Sequence, residues 1–145
     1  MSLQRASLIA TQVLVVAVLG LLFRHVLFAN RPGPVIAQIL AALLMLWARL
    51  VFGARSFHAA ADPTEGGLVT RGPYRFVRHP IYAAILLFVW AGVASHASLL
   101  NALLAIVASG GIAVRIGTEE RLVAVRYPEY AAYAARTKRV IPFLV

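Results

Sequence analysis

Cysteine is absent from this chain, which excludes disulfides, thiolate metal sites and a cysteine nucleophile. Charge is scarce as well: 13% of residues are charged, where soluble domains carry about 25%. Acids are scarcest, five Asp and Glu against fourteen Lys and Arg, for a formal charge of +9. His25, His58 and His96 are scattered without metal-ligand spacing, and no metal site is expected. Gly66-Gly67 is too little to be the glycine loop of a soluble nucleotide-binding fold. What the chain has instead is hydrophobic residue, 61% of 145 positions, with mean hydropathy +0.83. This composition belongs to an integral membrane protein, and the length suits one membrane domain. The basic excess then reads as cytoplasmic loops touching anionic lipid, not as a nucleic-acid surface.

Charge-free runs mark the spans. Ala6 to Phe23 holds 18 uncharged residues and Pro32 to Ala48 holds 17, each near the roughly 20 that cross a bilayer as a helix. Pro80 to Val114 holds 35, too many for one ordinary span. Ser95-His96-Ala97-Ser98 sits near its middle and predicts a turn between two helices. Each arm is about 15 residues, or roughly 22 Å, short for a hydrocarbon core of about 30 Å. The expected fold is an all-α polytopic membrane helix bundle. It has about four transmembrane helices, two of them a hairpin, plus cytoplasmic C-terminal helices. The segments are 1–52, two N-terminal spans; 53–79, a cytoplasmic loop; 80–114, the hairpin; and 115–145, a cytoplasmic cofactor-binding tail. Leu27-Phe28-Ala29 is a poor cleavage site, so the first run is expected to anchor rather than to be removed.

Basic residues set the orientation. Arg49, Arg55, Arg71, Arg75 and Arg78 precede the hairpin, and Arg115, Arg121, Arg126, Arg136, Lys138 and Arg139 follow its apolar run. The link between the first two spans has only Arg24 and Arg31, and the hairpin turn has none. Both termini and both polar segments are therefore expected in the cytoplasm.

Two polar clusters flank the hairpin. The first is Gly72-Pro73-Tyr74-Arg75-Phe76-Val77-Arg78-His79-Pro80-Ile81-Tyr82, and the second contains Glu119-Glu120-Arg121. Ionisable groups this close to hydrocarbon are expensive and are kept for function. Pro80 suits the first turn of a helix, which places His79 at that helix's N-terminus, where free N–H groups favour an anion. The fourth helix is predicted to continue through Glu119, Glu120 and Leu122 towards Arg126. Tyr127-Pro128-Glu129 then breaks it. Tyr130 and Tyr133, at i and i+3, share one face of a short final helix. Competing structural roles stay open: a positive-inside anchor for Arg71, Arg75 and Arg78, a structural cap for His79, and an interfacial aromatic belt for Tyr130 and Tyr133. Glu119 and Glu120 pairing with Arg115 or Arg121 on a solvated face is another. Trp47 and Trp90 read as belt or packing residues, and Ser109-Gly110-Gly111 as a place where helices approach closely.

Arg71-Gly72-Pro73-Tyr74…Arg78-His79-Pro80-Ile81-Tyr82 resembles the first signature block of the isoprenylcysteine carboxyl methyltransferase family and its phospholipid-methylating relatives. Glu119-Glu120-x-Leu122, followed by Tyr127-Pro128-Glu129-Tyr130-x-x-Tyr133 and an ending with Arg139 and Pro142, resembles the second. The resemblance covers about the C-terminal 80 residues, Leu68 to Pro142. One position departs: many members place glycine where this chain has Ala84. The resemblance implies an integral membrane methyltransferase that uses S-adenosylmethionine at the cytoplasmic face and draws a lipophilic acceptor from the bilayer. Cofactor contacts are then expected from Tyr74, Arg78, His79, Pro80, Tyr82, Glu119, Glu120, Tyr130 and Tyr133. Arg75, Glu120 and Arg126 are the expected catalytic set, the arginines holding an acceptor carboxylate. The acceptor is an isoprenylcysteine carboxylate, a lipid amine or a hydrophobic thiol. A sterol-type reductase binding NADPH, which has a related Arg-His-Pro block, and a non-enzymatic four-helix protein are the alternatives. Oligomeric state is not legible.

Overall fold

The computed structural model describes residues 2–53 and 67–141. The loop acids Asp62 and Glu65, with Arg55, Gly66 and Pro142, lie outside the described residues. Five α-helices follow in order: α1 Leu3–Phe23, α2 Pro32–Phe52, α3 Pro80–Ser95, α4 Leu99–Arg126 and α5 Tyr130–Arg136. A 3₁₀ turn, Gly72–Arg75, precedes α3. No strand occurs among the described residues, only an isolated parallel bridge between Val77 and Lys138. The all-α membrane bundle expected from the sequence is the fold observed.

Local chemistry sets the helix ends. Ser2 and Ser98 cap α1 and α4 by accepting from the backbone N–H of Arg5 and Asn101, at 3.3 and 3.2 Å. Proline opens α2 and α3, where its missing N–H is not needed. The turn between α3 and α4 falls at 96–98, where the charge-free run was expected to fold back. Three helices, α1, α2 and α4, are long and apolar enough to cross a membrane. The fourth, α3, has 16 residues, about 24 Å. At 28 residues α4 is about 42 Å long, so it outruns the hydrocarbon and carries its last turns beyond it.

The helices associate chiefly as two pairs, α1 with α4 and α2 with α3. Leu21 of α1, Val89 and Val93 of α3 and Ala105 of α4 meet in a core with Val26. The apolar surface also faces outward: Val16, Phe23 and Leu50 are 68%, 81% and 73% exposed. Lipid is the solvent that tolerates such a surface. At the hairpin-turn end, polar groups tie the α1–α2 link to the hairpin. Gln38 donates to the carbonyls of Leu27 (2.7 Å) and Phe88 (3.0 Å). Arg24 donates to Asn101 (2.8 Å), which donates on to His96 O (2.6 Å). Ser95 accepts from the backbone N–H of Asn30 at 2.9 Å.

Gly111 sets the approach of α1 to α4. A Cβ there would lie 2.9 Å from the carbonyl oxygen of Ala10, so only glycine lets the two backbones come this close. The close approach expected of Ser109-Gly110-Gly111 is thus located at Gly111; a Cβ at Gly110 meets nothing within 4 Å.

Candidate functional site

The site lies at the end of the bundle opposite the hairpin turn, where α3 begins and α4 protrudes. Its first wall is the loop before α3. Gly72 has φ +60 and packs against Val51, whose Cγ2 would lie 2.7 Å from an added Cβ. Glycine is required on both counts. Tyr74 is buried, stacked obliquely on Phe52 with ring centroids 5.4 Å apart. The chain then runs beside the C-terminal segment. The backbone N–H of Arg78 donates to Lys138 O (2.7 Å), that of His79 to Arg139 O (2.9 Å), and that of Lys138 to Phe76 O (3.2 Å). Tyr133 adds a side-chain tie, donating to Tyr74 O at 2.7 Å.

The second wall is α4. Glu119 and Glu120 are consecutive, so they point about 100° apart on the helix and gather different partners. Glu120 accepts from Arg78 Nε at 3.0 Å and from Arg139 Nε and Nη2 at 3.1 Å. Glu119 accepts from Arg115 Nη2 at 3.0 Å and from the Tyr82 hydroxyl. His79 stands between them, Nε2 3.3 Å from Glu120 and Nδ1 3.8 Å from Glu119. Its side chain does not cap α3; the ring is spent on the two carboxylates. Arg115 donates Nε to Tyr82 at 2.7 Å, closing a triangle of Arg115, Tyr82 and Glu119. Three guanidinium groups thus face two carboxylates, an excess of one positive charge among these five groups.

Burial makes these contacts consequential. The side chains of Arg78, His79 and Glu120 are 11%, 11% and 13% exposed, and breaking an ion pair so enclosed leaves a stranded charge. Tyr130 and Tyr133 are both buried, their rings 6.1 Å apart, so they belong to the interior and not to an interfacial belt. Burial pushes both phenols up to about 12. The Tyr130 hydroxyl lies near enough to Glu120 and Arg78 for their charges to act on it, yet it has no hydrogen bond of ordinary geometry.

The structure brings Tyr74, Arg78, His79, Pro80, Tyr82, Glu119, Glu120, Tyr130 and Tyr133 to one end of the bundle. Arg75 and Arg126 it leaves outside: both are exposed, and Arg75 lies over the Phe76 ring, 4.7 Å from its centroid. Among the described residues neither bonds to Glu119 or Glu120. The arginines that do are Arg78, Arg139 and Arg115. Arg115 is 6% exposed, not on the solvated face that pairing with Glu119 first suggested. Its spacing from Glu119, four residues on one helix, was the available signal. Among the described residues no three His, Asp or Glu side chains converge as metal ligands do.

Fold and site together define a polytopic membrane protein with an enclosed ionisable cluster at one end of its bundle. The phospholipid methyltransferase family matches residues 34–130, and the chain belongs to that family, which includes the isoprenylcysteine carboxyl methyltransferases. It is similar to the cobalt-zinc-cadmium resistance protein CzcN of Cupriavidus metallidurans, 33% identical over 128 residues. That alignment covers 86% of this chain and 58% of CzcN, so the chain spans little more than half the length of that relative. No solved structure matches.

Proposed function

We propose that the protein is an S-adenosylmethionine-dependent methyltransferase acting on a lipophilic acceptor at the cytoplasmic membrane face. The observation that carries this reading is the convergence of His79 and Tyr82 with Glu119 and Glu120, about 40 residues apart in sequence, in one enclosed cluster.

The donor set fits the cofactor. S-adenosylmethionine has a carboxylate for the surplus cation of Arg78 and Arg139, and an ammonium and ribose hydroxyls for Glu119 and Glu120. Its sulfonium suits the rings of Tyr82 and Tyr130, and the buried Tyr130 hydroxyl beside Glu120 and Arg78 supplies a further polar contact. Tyr74 and Tyr133 support that wall. When bound, the cofactor supplies a methyl group whose carbon–sulfur bond breaks, the pair staying on sulfur, as an acceptor lone pair forms the new bond. The residues of the chain orient that displacement and exclude water; good alignment is worth about 7–11 kcal/mol. Arg75 and Arg126, exposed at the rim, are assigned only to the acceptor's head group. The acceptor is a carboxylate, amine or thiol carried on an apolar chain. Arg71, Arg75, Arg121, Arg126, Arg136 and Lys138 are all exposed at this end, which supports a cytoplasmic orientation.

Calorimetry on detergent-purified protein tests the reading. S-adenosylmethionine and S-adenosylhomocysteine bind saturably and NADPH does not. Glu120→Gln and His79→Ala each abolish detectable binding while the protein stays folded. Binding of NADPH alone transfers the chain to the reductases; unchanged binding in both variants refutes the site.

A further inference from the structure

Helix α1 lies outside the segment that matches the family, residues 34–130, yet it reaches the cluster. Arg115 Nη1 donates to Thr11 Oγ1, and Thr11 Oγ1 donates to Ser7 O at 2.8 Å. The Arg115 guanidinium is therefore held on three sides: Nε on Tyr82, Nη2 on Glu119 and Nη1 on Thr11. Gly111, Arg115 and Glu119 fall at i, i+4 and i+8, one stripe of α4. Gly111 brings the α1 backbone to that stripe one turn from Arg115. A side chain as short as threonine reaches the guanidinium only because of that approach.

We infer that Thr11 is a positioning residue: its hydroxyl fixes the rotation of the Arg115 guanidinium and, through it, the placement of Tyr82 and Glu119. This rests on the reading that the Tyr82–Glu119 pair binds S-adenosylmethionine. A planar guanidinium directs its donors in fixed directions. With Nη1 anchored on α1, Nε and Nη2 are committed to Tyr82 and Glu119. Without the anchor, the guanidinium is free to turn away, and the triangle that orients the Glu119 carboxylate loosens. A threonine that merely satisfied its own helix would need only the bond to Ser7 O, the common back-bond of helical threonine. The second bond, from a buried arginine of another helix, is the feature that back-bonding does not require.

The test is S-adenosylhomocysteine binding by calorimetry to purified full-length protein in nanodiscs. Thr11→Val keeps the shape and removes the oxygen; it weakens binding about tenfold, the order expected from one misplaced carboxylate contact. Thr11→Ser keeps the oxygen and stays within about twofold of wild type. In an Arg115→Lys background, Thr11→Val has no further effect, because the residue acts through Arg115. Equal binding by Thr11→Val and wild type overturns the inference, as does an undiminished effect in the Arg115→Lys background. Should Thr11→Val fail to fold, Thr11→Ala replaces it, and failure of both assigns Thr11 to stability and overturns the positioning role. A wild type that binds no S-adenosylhomocysteine instead refutes the methyltransferase reading on which the inference rests.

Discussion

Arg78 holds the C-terminal segment against the loop before α3, and replacing it with lysine measures that hold. Its Nε donates to Glu120, while its Nη1 donates to the carbonyls of Ala134 (2.9 Å) and Thr137. Those two carbonyls lie in and just after the last turn of α5, where intrahelical partners run out. Lysine offers one ammonium nitrogen, and a single point donor reaching Glu120 cannot also meet two carbonyls on another element. Two bonds donated by a charged group are lost. At the low end of their net worth, about 1.5 kcal/mol each, the loss is about 3 kcal/mol, or roughly 100-fold in the opening equilibrium. The cost falls on α5 because seven residues are too few to hold a helix unaided. Hydrogen exchange in nanodiscs reads this directly: the α5 amides of Arg78→Lys exchange about 100-fold faster, while those of α1 and α2 keep their protection. Trypsin cleavage after Arg136 and Lys138 accelerates in parallel. Unchanged α5 protection, or a loss spread evenly over all helices, would refute the stapling role of Arg78.

Two further substitutions test the packing and the polar accounting. Gly111→Ala sets a methyl 2.9 Å from Ala10 O and destabilises by about 1–3 kcal/mol; Gly110→Ala, with open space around it, gains up to about 1 kcal/mol in helix propensity. Opposite signs are expected in thermal unfolding, and equal signs would remove Gly111 as the contact that sets α1 on α4. Tyr130→Phe deletes a buried hydroxyl without an ordinary partner, so at neutral pH it is neutral or stabilising by about 1 kcal/mol. The same variant alters the alkaline limb. With the folded phenols at about 12 and the unfolded ones near 10, the unfolded chain binds fewer protons between those values. Stability is therefore intact below about pH 10 and falls as pH rises towards 12. Removing Tyr130 makes that fall shallower; an unchanged slope would show that the phenol is not buried.

The spans and their order were legible because charge is so rare here: each break in the apolar runs is forced to an arginine or a turn. Pro80 fixed the start of α3, and the i, i+3 spacing put Tyr130 and Tyr133 on one face of α5, whose burial the structure then supplied. Which helices pair was not legible. Valine and leucine surround α1 on all sides, so no stripe in its sequence points to α4. That is why Arg115 could not be placed: its burial is supplied by α1, 104 residues away. Which arginines meet Glu119 and Glu120 was not legible for the same reason. Arg75 and Arg126 adjoin the motifs in sequence but project from exposed positions, whereas Arg115 and Arg139 reach the carboxylates through the path of α4 and the return of the tail.

Lipid gives the two helix pairs no hydrophobic reason to associate, since hydrocarbon solvates an apolar helix as well as another helix does. Close packing in the core around Leu21 and Ala105 contributes, and polar ties secure both ends. At the hairpin-turn end the ties are finished: Gln38 and Asn101 each satisfy backbone groups of a neighbouring segment. At the other end they are not. The cluster joins α1 to α4 through Thr11, α3 to α4 through Tyr82 and His79, and the tail through Arg78 and Arg139, but holds three guanidinium groups against two carboxylates. The side chains that hold this end of the bundle together therefore also concentrate positive charge there. On the methyltransferase reading proposed above, a ligand that brings a carboxylate to this excess of positive charge makes occupancy and bundle stability rise together. With free ligand at a hundred times its dissociation constant, this linkage is worth about 2.7 kcal/mol.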